Sequence, residues 1–129
     1  MKFTPVDIPG VFLVDIEPIG DDRGFFARSW CRDEFASHGL DPSLVQCSIS
    51  FNRLKATLRG MHYQVAPRQE AKLVRCTMGS IFDVVADLRA GAAVFPKWRG
   101  FELKATTHRM LFVPKGVAHG FVTLENNTE

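Results

Sequence analysis

The chain of 129 residues is long enough for one domain and short for two. Hydrophobic residues make up 46% and charged residues 23%, the usage of an ordinary folded domain, which excludes a disordered chain. Its 16 basic and 14 acidic residues are mixed along the sequence and leave a net charge of +2, so no basic block supports a nucleic-acid or membrane-surface role.

Taken from the N-terminus, an apolar run predicts a strand over 11–14, and a second is expected over 24–28 after the turn Gly20-Asp21-Asp22. One helix is predicted over 32–37, with Gly39 as its left-handed terminator and Pro42 beyond it. Val45, Cys47, Ile49 and Phe51 then alternate with Gln46, Ser48, Ser50 and Asn52, which predicts a strand with one apolar and one polar face. Strands follow over 58–64 and 72–77, with Ala66-Pro67 as the turn between them. Past Met78-Gly79, Phe82, Val84, Ala86 and Leu88 alternate with Asp83, Val85 and Asp87, up to the turn at Ala90-Gly91. Phe101 and Leu103 alternate with Glu102 and Lys104, 110–113 reads as a short buried strand, and a last strand is expected over 119–124.

Many short strands with regular turns point to an all-β antiparallel sandwich or barrel, of which a jelly roll is one form. There is no internal repeat, linker or low-complexity segment, so residues 1–129 read as a single domain. The longest apolar runs fall far short of the ~18 residues of a membrane span, and residues 1–12 carry no signal-peptide pattern. Cys31, Cys47 and Cys76 have no CxxC spacing and fit small apolar residues in a reducing compartment. The expectation is a soluble cytoplasmic protein.

The polar strand faces carry unusually specific chemistry: Gln46, Ser48 and Ser50; Arg59, His62 and Gln64; Lys72; Asp83 and Asp87; His119. Several strands each offering one reactive group suit the interior of a barrel open at one end, where small ligands bind. Within Arg59-Gly60-Met61-His62-Tyr63-Gln64, a regular strand would send Arg59 and His62 to opposite faces, because their separation is odd. Gly60 lies between them, and a glycine inside a strand marks a bulge that would bring both to one face. Cations that face inward, such as Arg59 and Lys72, call for an anion to meet them. In the second cluster, Pro114-Lys115-Gly116-Val117-Ala118-His119, proline and glycine fix a turn that delivers His119 to the start of a strand.

The two clusters are similar to the paired cupin motifs, in which His-x-His and a later Pro-x-Gly-x-x-His supply metal ligands. Here Gln64 stands at the second histidine, and an amide is a poor ligand for zinc or iron. His62, Gln64, Glu70 and His119 form the conceivable ligand set, but Arg59 and Lys72 would repel a cation, so neither metal nor cofactor is expected. In order along the chain, Asp22-Arg23-Gly24-Phe25-Phe26, Gln46-Cys47-Ser48-Ile49-Ser50, the Leu58-to-Gln64 cluster and Lys72-Leu73-Val74-Arg75-Cys76 resemble the dTDP-4-dehydrorhamnose 3,5-epimerase family, metal-independent cupins. Asp83-Val84-Val85-Ala86-Asp87-Leu88-Arg89, Lys97-Trp98 and the Val113-to-Phe121 stretch continue the resemblance through nearly the whole chain.

The resemblance implies a cupin jelly roll that epimerises C3, C5 or both of a dTDP-4-keto-6-deoxyhexose, in deoxysugar biosynthesis, as a homodimer. It implies His62 as the base and Lys72 as the stabiliser of the enolate. Arg23 and Arg59 would meet the diphosphate and Phe26 the nucleobase, while Gln46, Ser48 and His119 would contact substrate with Asp83 in support. The sequence departs from the family in carrying Arg28 at an acidic position and Ser48 at an asparagine. The family's tyrosine proton donor and the aspartate paired with the base lie in a continuation beyond the segment that 124–129 matches. The chain is therefore expected to be the N-terminal portion of such a domain. The alternatives are a nucleotide-sugar-binding cupin without turnover, a dTDP-sugar 3,4-ketoisomerase, against which Gln64 counts, and a metal-dependent oxygenase.

Overall fold

A computed structural model describes residues 1–91 and 97–129. Its framework is two four-stranded antiparallel sheets. The first runs β1 (Lys2–Pro5), β2 (Phe12–Asp15), β9 (Met110–Val113) and β6 (Lys72–Arg75). The second runs β5 (Leu58–His62), β10 (Val117–Thr123), β7 (Ser80–Asp87) and β8 (Trp98–Lys104). A separate ribbon pairs β3 (Ile19–Asp21) with β4 (Gly24–Phe26). With one short helix besides, this is the expected all-β jelly roll of the cupin type.

Two apolar clusters hold it together. Ile81 and Val85 of β7, Leu103 of β8 and Val117 of β10 meet Leu111 and Val113 of β9 between the sheets, with Ile8, Val11 and Cys76. On the outer face of the first sheet, Val14, Met110 and Phe112 pack against Phe35 and Leu40. Phe35 comes from the helix α1 (Arg32–Ser37), whose first turn carries Asp33 and Glu34, well placed against the helix dipole. Gly39 terminates it at φ +70°, donating its backbone N–H to the Ala36 carbonyl, as the sequence predicted.

One expectation is corrected. Residues 41–51 form no strand; apart from an isolated bridge at Asn52, the segment pairs with no backbone among the described residues. Val45 is 90% and Ile49 77% exposed, so the alternation is real but has no surface to cover. In β7 the apolar half of the alternation faces outward, and Asp83 and Asp87 are buried with Ile81 and Val85. Phe82 instead covers Gly100 on β8, where a Cβ would come within 2.3 Å of the ring. The barrel interior thus receives the polar face of β7, the arrangement that the chemistry of that face favoured. Strands β1 and β3 had no clear alternation to announce them. No helix among the described residues is long and apolar enough to cross a membrane.

Candidate active site

The site is built on the edge of the second sheet. Strand β10 pairs with β5 so that His119 opposes His62 and Phe121 opposes Arg59, with a register shift between. Two steps of β10 therefore span three steps of β5, and the extra residue returns Arg59 and His62 to one face. Gly60 makes this possible: it sits at φ +115°, and a Cβ there would lie 2.5 Å from Gly120 Cα. The reciprocal contact is also closer than a side chain tolerates, since a Cβ on Gly120 would lie 2.8 Å from the Arg59 carbonyl oxygen. Two glycines in van der Waals contact are what allow the bulge to close.

The face they share is the barrel interior, because His119 alternates with Val117, a residue of the inter-sheet core. On β7, Asp83 opposes Phe121 and shares that face. His119 Nδ1 lies 3.1 Å from Asp83 Oδ2, with the histidine side chain 13% and the aspartate 0% exposed. The other oxygen, Asp83 Oδ1, has no hydrogen-bond partner among the described residues. Burial pushes the Asp83 carboxyl above the usual carboxylate range, and the His119 contact only partly offsets this. Lys72 comes from the facing sheet: it opposes Val113 and lies two residues before Val74, which packs against the inter-sheet core. Its ammonium is ion-paired with Glu70.

Arg59, His62, Lys72, Asp83 and His119 thus lie on the facing sides of the two sheets, Asp83 buried and Arg59 and His62 exposed on the edge strand. The other sequence-predicted residues do not. Arg23 and Phe26 ride on the exposed ribbon, where Arg23 is held by Asp21 at 2.5 Å. Gln46 and Ser48 lie in the exposed irregular segment. Arg28, at the family's acidic position, is ion-paired at 2.7 Å with Glu34 of α1. A cavity of about 370 Å³ lies elsewhere, lined by Ile16, Phe25, Arg75 and His108 among others, and takes in none of the predicted residues.

Sequence reasoning missed Asn52, which is buried and accepts a hydrogen bond from Arg59 Nε at 3.0 Å. Its polar position in an alternating segment was the only signal. Glu70 was weighed only as a metal ligand, yet its partner is Lys72. No cluster of three or more His, Cys, Asp or Glu side chains among the described residues could hold a metal ion.

Residues 5–129 match the family model described as dTDP-4-dehydrorhamnose 3,5-epimerase. Curated proteins of that name from Pseudomonas aeruginosa and Shigella flexneri are 43% and 39% identical to the chain, each over 130 aligned residues. The alignments cover 100% of this chain and 71% of each relative. Among solved structures, the epimerase from Bacillus anthracis with TDP and pyrophosphate bound superposes with a TM-score of 0.92 at 39% identity, covering 98% of this chain and 73% of that one. The Legionella pneumophila enzyme in complex with dTDP-4-keto-L-rhamnose gives 0.89 at 33% identity, covering 98% and 67%.

Proposed function

The chain belongs to the dTDP-4-dehydrorhamnose 3,5-epimerase family, and from that premise we propose that it works as an epimerase-type isomerase on a dTDP-4-keto-6-deoxyhexose. The 4-keto group acidifies the hydrogens on its neighbouring carbons. His62 takes one of them on an unprotonated ring nitrogen; the C–H electron pair becomes the C=C bond of an enolate, and the carbonyl π pair moves onto oxygen. Lys72, on the facing sheet, holds the developing oxyanion by charge. A proton from solvent water adds to the opposite face of the same carbon as the enolate oxygen re-forms the carbonyl, which completes the inversion, and His62 gives its proton back to solvent. Arg59 binds the diphosphate through its forked donors. The Asp83 contact fixes the His119 ring through Nδ1 and leaves its other nitrogen for the sugar.

One observation carries this reading: the bulge of β5 sets Arg59 and His62 on the same inward face, opposite Phe121 and His119. The test is proton NMR of the dTDP-4-keto-6-deoxyglucose in deuterated water. Loss of the C3 or C5 signal is expected with the protein and absent with His62→Asn, while nucleotide binding survives. The alternative reading, nucleotide-sugar binding without turnover, uses the same Arg59 and His119 contacts with no proton abstraction by His62. Binding with no exchange at either carbon would select it.

We also propose that the protein works as a homodimer in the cytoplasm. Exposed apolar side chains on the ribbon (Ile19, Phe26) and in the segment that includes Val45 and Ile49 support a second copy as cover. Three free cysteines suit a reducing compartment.

A further inference from the structure

Among the described residues Arg32, Arg53, Arg68 and Arg75 have no side-chain partner, and the other arginines fall into two kinds. Arg23, Arg28, Arg89, Arg99 and Arg109 are each ion-paired with a carboxylate, respectively Asp21, Glu34, Asp87, Asp7 and Asp15. Arg59 is different: its one side-chain partner among the described residues is the neutral amide of Asn52. The bond is made through Nε, so among the described residues both terminal nitrogens of the guanidinium are without a partner and no carboxylate is paired with the charge.

Asn52 is itself held by three hydrogen bonds, two to Thr128 and one to Ser50. Its backbone forms a reciprocal bridge with Thr128, Asn52 N–H to Thr128 carbonyl at 2.8 Å and Thr128 N–H to Asn52 carbonyl at 2.9 Å. Its amide nitrogen donates to the Ser50 carbonyl at 3.1 Å. Chemistry fixes the amide orientation at both ends, since a guanidinium can only donate and a carbonyl can only accept. The side chain is 3% exposed, whereas the guanidinium it steers is on an exposed edge strand.

We propose that Asn52 is a positioning residue for anion recognition, aiming the free fork of Arg59 at the diphosphate of the nucleotide sugar while leaving its full positive charge available. A carboxylate in the same place would aim the fork equally well and neutralise it. This rests on the reading of the site as a nucleotide-sugar pocket, and inorganic pyrophosphate serves as a probe that does not depend on that reading.

The test is calorimetric titration of dTDP, thymidine and pyrophosphate into the wild-type chain, Asn52→Ala, Arg59→Ala and the double variant. Asn52→Ala is expected to weaken dTDP and pyrophosphate about tenfold and thymidine less than about twofold, and to add nothing once Arg59 is alanine. Asn52→Asp, which keeps size and acceptor, is expected to weaken dTDP comparably and to lower the salt dependence of binding, a readout that a purely structural role would leave unmoved. This isosteric variant decides the matter if the alanine variant does not fold. Asn52→Asp binding dTDP like wild type, or Asn52→Ala weakening binding as much in the Arg59→Ala background, overturns the proposal. Binding of pyrophosphate but not dTDP by wild type, with the same Asn52 dependence, upholds the inference and defeats the nucleotide-sugar reading. Binding of neither defeats both.

Discussion

At the scale of single residues, Asp83 is the most unusual group in the molecule. It is a fully buried carboxyl with one oxygen near His119 and the other without a partner. Its pKa in the fold is raised above the unfolded value, so the folded protein favours the protonated form and ionisation of Asp83 costs stability. The cost is fully present above the raised pKa and fades as pH falls towards the unfolded value of about 3.9. Asp87, held below the ordinary range by the Arg89 hydrogen bond, contributes in the opposite sense and loses its contribution in acid. The difference between wild type and Asp83→Asn isolates the first effect. Urea unfolding is expected to show Asp83→Asn as the more stable protein at pH 8, with the gap closing towards pH 4. The same variant is expected to slow deuterium exchange about 10–100-fold, because His119 is no longer held by a carboxylate.

At the scale of elements, the bulge in β5 decides which side chains share a face. It depends on Gly60 and Gly120 rather than on the reactive residues. Adding a methyl group at Gly120 would press on the Arg59 carbonyl oxygen and, at 2.9 Å, on Met61 Sδ. Gly120→Ala is therefore expected to lower unfolding free energy by about 1–3 kcal/mol and to reduce exchange by displacing His62 from His119. Chemical denaturation measures the first and NMR exchange the second. Activity retained with the stability lost would mean that the register of β5 does not set the site. The odd spacing of Arg59 and His62 with a glycine between them made the bulge legible in the sequence. The inward turn of Asp83 was less so, because the alternation in β7 has apolar residues on both faces and only the Phe82–Gly100 contact chooses between them.

At the scale of the whole molecule, the two clusters account for the inner strands, while the ribbon and residues 44–65 leave large apolar side chains in water. A homodimer that covers the second stretch predicts that Val45→Glu with Ile49→Glu shifts the protein to monomer in sedimentation velocity. Both side chains are exposed in the single chain, so its own unfolding free energy is expected to change by no more than about 0.5 kcal/mol per site. A dimer that persists in the double variant would place the interface elsewhere.

Local patterning was sufficient for the all-β class, the helix and its glycine stop, the strand over 110–113 and the union of Arg59 with His62. Each of these is signalled by residues within a few positions of one another, although the bulge closes only against Gly120 on β10. Contacts between distant segments decided the rest. Apart from the bridge at Asn52, the strand expected over 45–52 has no backbone pairing among the described residues, and alternation cannot supply one. Asn52 acquires a role only because the chain folds back to place Arg59 3.0 Å away and Thr128 across a bridge. Lys72 and His62 face one barrel because their sheets pack through the inter-sheet core, a relation between sheets that no spacing in the sequence encodes.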